Sequence, residues 1–187
     1  METIIFLEIE GVLTNYNSMK NSSSKDIYKQ FGIDTNALFL LKRLTNATNG
    51  KIVMTSSLRF DDDFQQLETA LRSMGFIILG KTDFIDYNKS AEIIDYITRH
   101  NIRNYIILDS EELSYIPEIK EHFIESPVDD GLQEYLIEEA IEIAHQKRKN
   151  KTLTRKRINV RRKKLFQLKI LLFFYFSLLD MINYFQR

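Results

Sequence analysis

The 187 residues, 44% of them apolar, suffice for one packed domain and a short appendage, and they exclude wholesale disorder. With no cysteine and three scattered histidines (His100, His122 and His145), the chain has no disulfide framework and no thiolate zinc site, and a histidine-rich metal site is not expected. The net charge of zero hides two opposed parts: residues 1–146 carry 25 acids against 13 bases, and residues 147–187 carry 13 bases against Asp180 alone.

In chain order, Ile4 to Ile9 is a short apolar run that reads as a buried strand. Met1 leads straight into it without a basic flank, so no signal peptide is expected. Residues 14–33 are polar and read as a loop. Asp34 to Asn36 offer caps for a helix carrying Leu38, Leu41 and Leu44, with Gly50 as its stop. Lys51 to Thr55 is a second strand. Asp61 to Met74 reads as a helix with acids in its first turn. Phe76 to Leu79 is a third strand, Ser90 to His100 a helix, and Tyr105 to Leu108 a fourth strand. Phe123-Ile124 is a short fifth, and Leu132 to about Gln146 is a last helix. Strands alternating with helices in this way predict an α/β fold, a Rossmann-like parallel sheet of about five strands with helices on both faces.

Ligands in such sheets bind at the carboxyl ends of the strands. Glu8 and Glu10 flank the end of the first strand and are followed by Gly11. Two carboxylates there can bind a hard cation such as Mg²⁺, or divide attack on phosphorus and proton transfer between them. They can also be plain exposed strand residues on one face, although the strand is otherwise apolar. The second strand ends in Thr55-Ser56-Ser57, hydroxyls that suit phosphate oxygens or merely cap the next helix. Lys89 stands before a helix, where an ammonium neutralises phosphate or is simply solvated. Asp109, after an apolar strand, is a metal-ligand candidate or a turn cap. Asp61 to Asp63 read as dipole complement rather than a metal site.

Taken together and in order, IIFLEIEGVLT, KIVMTSS, Lys89 and YIILDSEE resemble the four motifs of the haloacid dehalogenase-like (HAD) phosphohydrolases. VMTSSLR, GKTDF, KSAEIIDYI and HFIESPVDDGLQEYLIEEAIEIA narrow the resemblance to the HAD domain of Swiss Army Knife RNA-repair proteins, over about residues 2–145. The resemblance implies Glu8 at the nucleophile position and Glu10 at the general acid/base. It implies Thr55, or Ser56, on the transferring phosphoryl group and Lys89 steadying nucleophile and phosphate. It also implies Arg59 near the substrate, and Mg²⁺ held by Glu8, by Glu10 through its backbone carbonyl, and by Asp109. The family pattern is Asp-x-Asp-Gly, whereas this chain has Glu8-Ile9-Glu10-Gly11. Each Glu carries its carboxylate roughly a bond length further out, in chemistry where about 1 Å of misplacement costs on the order of 10²-fold. The change implies a re-spaced site or a body without turnover. By the same family analogy, the short interval between Leu13 and Asp34 implies no cap domain and an open site suited to a phosphorylated nucleic-acid end. The acidic body opposes a polyanion. The alternative is a non-catalytic HAD-fold scaffold acting through its tail.

That tail divides into a basic linker or helix extension, 147–164, and an apolar helix, 165–187. Its uninterrupted apolar core, Ile170 to Leu179, is shorter than the roughly 20 residues of a membrane span. Three readings stand: an interfacial or anchoring helix on an anionic membrane, a helix on a partner protein, or one packed back on the body. The expected location is cytoplasmic, with membrane association through this tail.

Overall fold

The computed structural model describes residues 2–20 and 30–145. The expectations for 21–29 and for the whole of 147–187 lie outside the described residues. The elements are β1 (Thr3–Leu7), α1 (Tyr16–Lys20), α2 (Thr35–Thr48), β2 (Gly50–Met54), α3 (Phe64–Ser73), β3 (Ile78–Lys81), α4 (Lys89–Arg99), β4 (Tyr105–Asp109) and β5 (Phe123–Glu125), followed by a helix over 134–145, α5. A 3-10 turn over Ser57–Phe60 follows β2, and another over Lys120–His122 precedes β5.

The five strands form one sheet in the order β3-β2-β1-β4-β5, every neighbouring pair parallel. β1 is central, and the chain winds outward from it first to one side and then to the other. The topological switch therefore lies between β1 and β4, where open sheets of this kind place their ligands.

Strand parity divides the core. Ile5 and Leu7 register with Ile52 and Met54 on one side and with Ile106 and Leu108 on the other. These residues pack with Leu38, Leu41 and Leu44 of α2, Leu67 and Leu71 of α3, and Ile137 and Ala140 of α5. The alternate residues, Ile4, Phe6, Val53 and Ile107, face Ile93 of α4 together with Leu113 and Ile119. Both faces of the sheet are thus covered, which is why the strands read as unbroken apolar runs.

The boundaries differ from the sequence reading in ways the backbone explains. β1 stops at Leu7 rather than Ile9, because the amides of Val12, Leu13 and Thr14 all turn back to the Ile9 carbonyl. The interval 14–33, expected to be all loop, contains α1, and its ends are joined by an antiparallel bridge between Thr14 and Ile33. Asp34 caps α2, accepting the Asn36 amide at 2.8 Å. The stop of α2 is Asn49 in the left-handed region (φ 50°), so that Gly50 is free to open β2. α3 begins only at Phe64; the acids Asp61 to Asp63 lie ahead of its first turn. β3 falls two residues later than expected, at Ile78–Lys81. Among the described residues no helix is long and apolar enough to cross a membrane.

Candidate functional site at the carboxyl ends of β1, β2 and β4

Parity also assembles the site. Phe6 and Ile107 face α4, so the next residues of the same parity, Glu8 and Asp109, emerge on the α4 side at adjacent strand ends. The Thr55 amide donates to the Leu7 carbonyl at 2.9 Å, which brings the end of β2 to the same rim. Lys89 is the first residue of α4, whose cap is Asn88, the side chain accepting the Ala91 amide at 3.0 Å. The α4 axis therefore delivers an ammonium between the two carboxylates. Lys89 Nζ donates to Glu8 Oε2 at 2.6 Å and to Asp109 Oδ1 at 3.2 Å, and lies 3.1 Å from Asp109 Oδ2 and 3.5 Å from Glu111.

Glu8 and Asp109 are both buried. Burial pushes the Glu8 carboxyl up, but the Lys89 charge, with hydrogen bonds from Lys89, Ser56 and the Ile9 amide, holds it below the ordinary range. Its Oε1 accepts the Ile9 amide at 2.7 Å and the Glu10 amide at 3.3 Å. Burial would discharge Lys89, yet Glu8 and Asp109 raise its pKa instead. Asp109 is pushed up to about 6 by burial, against the lowering pull of Lys89 and the Glu111 amide.

Glu10 borders this cluster without touching Lys89, sharing Ser56 with Glu8. The strand has ended, so alternation no longer governs it, and its carboxylate turns to the hydroxyls of Ser56 (3.1 Å) and Ser57 (3.2 Å). Burial and the neighbouring Glu8 charge raise its pKa. Its backbone carbonyl accepts the Ser110 hydroxyl at 2.8 Å. Gly11 (φ 72°) makes that approach feasible, since a Cβ there would stand 2.6 Å from Ser110 Cβ and Oγ.

Thr55 and Ser56 are fully buried. Thr55 Oγ1 makes no hydrogen bond, whereas Ser56 Oγ is engaged by Glu10 and by the Leu58 amide. Arg59, expected near the substrate, is buried, and its recorded hydrogen bonds all run inward. It donates to the carbonyls of Thr55 (2.6 Å), Ser56 (2.7 Å) and Thr82 (3.1 Å), and to Glu92 Oε2 (2.5 Å). This corrects its assignment: the guanidinium supports the loop from behind rather than facing a ligand. Glu92 was missed by sequence reasoning: at helical spacing it falls in line with Lys89, Asp95 and Arg99, so it reads as part of a solvated charged face.

Among the described residues no group of three or more His, Cys, Asp or Glu stands ready to hold a metal ion. Mg²⁺ is commonly held by only one or two carboxylates together with substrate phosphate oxygens. Glu8 and Asp109 are donors of that kind, both buried, with Lys89 as the cation now between them. The pair fits a hard cation by donor type; the group the family resemblance implies for Glu10 is its backbone carbonyl, which accepts the Ser110 hydroxyl.

Titration of Asp109 in the metal-free protein provides a direct check. Because its folded pKa lies above the reference value of 3.8, the stability its protonated form contributes is complete below about pH 4 and is lost as the pH rises through about 6. Carboxyl ¹³C NMR is expected to find that midpoint, and Lys89→Ala is expected to move it further up. A midpoint near 4, or no response to Lys89→Ala, would remove the electrostatic coupling described here.

No curated protein and no solved structure matches the chain. A family model does, over residues 4–137, and it is the one described as the HAD domain in Swiss Army Knife RNA repair proteins. That span begins within β1, ends in α5 and takes in every site residue named above, so the chain belongs to the HAD domain family of Swiss Army Knife RNA repair proteins.

Proposed function

We propose that this domain is a phosphohydrolase whose nucleophile is Glu8. The observation that carries the reading is the Glu8–Lys89–Asp109 cluster at the β1/β4 switch, with an ammonium locked between two buried carboxylates. An ionised Glu8 and a Glu10 that retains its proton more readily divide the work as nucleophile and acid, each set by its surroundings. A Glu8 oxygen attacks phosphorus, the bond from phosphorus to the leaving oxygen breaks, and Glu10 gives that oxygen its proton. Water then attacks the phosphorus of the acyl phosphate, Glu8 is released, and Glu10 takes up the water proton. Lys89 holds the nucleophile in place and offsets negative charge on the phosphoryl oxygens. The free hydroxyl of Thr55 is the group we assign to one of those oxygens. Mg²⁺ held by Asp109 and Glu8 supplies further neutralisation of that charge when bound.

The substrate we assign is a phosphorylated nucleic-acid end, supported by the family description and by the short interval between Thr14 and Ile33, which we read as too brief for a cap domain. A cavity of ≈ 600 Å³ opens beside Glu10, with Met19, Phe31, Leu58 and Phe60 in its walls, and gives a leaving group of nucleoside size somewhere to sit. The test is phosphate release from an aryl phosphate and from RNA oligonucleotides phosphorylated at either end, each with and without Mg²⁺. Release that requires Mg²⁺ and is lost in Glu8→Ala is the expected result. No release from any of these substrates would leave a HAD body that binds without turning over.

A further inference from the structure

Behind the site, and not facing it, lies a buried ion pair whose purpose the reaction does not use. Arg59 and Glu92 have side chains 3% and 5% exposed, so neither reaches a ligand. Their bonds join three segments: the stretch after β2, the stretch after β3 and the first turn of α4. Arg59 holds the carbonyls of Thr55 and Ser56 just after β2 and the carbonyl of Thr82 just after β3. Glu92, in the first turn of α4, accepts the Arg59 guanidinium, the Thr82 hydroxyl at 3.3 Å and the Ile85 amide at 3.2 Å. Lys81 Nζ adds a bond to the Arg59 carbonyl at 3.0 Å.

Buried ion pairs are poor sources of net stability, because desolvation of two charges offsets most of their attraction; apolar replacements of similar volume are often as stable. What such a pair does supply is direction. Glu92 sits one helical turn after Lys89, so fixing Glu92 fixes where the α4 start presents its ammonium. The same guanidinium fixes the backbone that carries Thr55 and Ser56. Carbonyl acceptors spaced along a chain after its strand has ended have no ladder to hold them, and a planar fork of donors is suited to that task.

We infer that Arg59 and Glu92 are a positioning pair that sets the Thr55–Ser56 loop and the Lys89 ammonium in register with each other across the sheet edge. The functional half of this inference rests on the reading of Thr55, Ser56 and Lys89 as phosphate-binding groups; the structural half does not. Its expected consequence is that the two halves of the phosphate site lose their mutual placement together when the pair is removed, even where stability is preserved.

The experiment uses the full chain and the double variant Arg59→Met/Glu92→Leu, which replaces the pair with apolar side chains, alongside Arg59→Lys and Glu92→Gln in case the double variant does not fold. NMR of the ligand-free proteins reads the amides of Thr55 and Ser56 and the Nζ of Lys89. Inorganic phosphate titration reads affinity, and kcat and KM are read wherever the wild type turns over. The expected result is a folded double variant whose Thr55, Ser56 and Lys89 signals all move while those of Ile5 and Ile106 stay. Phosphate affinity is expected to fall at least tenfold, and kcat by about 10²-fold with KM changed much less. Arg59→Lys is expected to fall between the two. Variants that fold and keep the Thr55, Ser56 and Lys89 signals of the wild type would overturn the inference. If the wild type binds no phosphate, the functional reading fails, while the NMR comparison still decides the positioning role.

Discussion

Arg59→Ala is expected to destabilise the domain by about 3–5 kcal/mol, the usual cost of leaving one partner of a buried ion pair uncompensated. The Glu92 carboxylate would keep the Thr82 hydroxyl and the Ile85 amide but lose its counter-charge, and three carbonyls would lose their donor. In a domain of this size about 1 kcal/mol moves the melting temperature by about 2–4 °C, so a drop of about 6–20 °C should be seen by circular dichroism. Removing both charges at once as Arg59→Met/Glu92→Leu should restore part of it, because no charge is then stranded, although the three carbonyls and the Ile85 amide still lose their partners. A single variant that melts within about 3 °C of the wild type would show that water or another group reaches Glu92, and the claim of a sealed pair would be withdrawn.

The second large effect concerns the length of Glu8, the nucleophile we propose. Glu8→Asp withdraws the carboxylate by roughly a bond length, and the present contacts are set for the longer side chain: Lys89 at 2.6 Å on one oxygen and the Ile9 amide at 2.7 Å on the other. Glu8→Asp is therefore expected to lower kcat by about 10²-fold with little change in KM, and Glu8→Ala to abolish phosphate release. Steady-state rates on the aryl phosphate decide it. A Glu8→Asp enzyme faster than the wild type would mean that the extra methylene is a fault in the site rather than its spacing.

How much of this was legible beforehand can be traced residue by residue. β1, β2 and β4 and the helices between them follow from apolar runs and helical spacing, because these inner strands are buried on both faces, whereas β3, a partly exposed edge strand, was placed two residues early. The family resemblance was legible for the same reason that the site is compact: its motifs sit at strand ends, where the sequence changes abruptly from apolar to functional, as at Leu108-Asp109. The orientation of Glu10 was not legible, because alternation holds only while the strand continues, and β1 ends at Leu7. Arg59 was misplaced for a different reason. A cation two residues after a serine pair looks available to a phosphate, and only the packing of α4 against the ends of β2 and β3 shows that its charge is spent on Glu92. Pairings of this kind, 33 residues apart and with no periodic signature, are invisible until the elements are docked. The start of α3 was set three residues early, since three aspartates resemble a helix's first turn wherever they stand.

The strand order has a consequence for synthesis of the chain. β1 leaves the ribosome first yet occupies the middle of the sheet, and its second edge is covered only by partners about a hundred positions later, Ile4 pairing with Tyr105. At about 5–20 residues per second that edge waits on the order of 5–20 s. Throughout that delay a five-residue stretch of wholly apolar or β-branched side chains offers an open backbone ladder to any other nascent copy. Shielding of this interval, by a chaperone or by sparse expression, is therefore expected to raise the yield of folded protein.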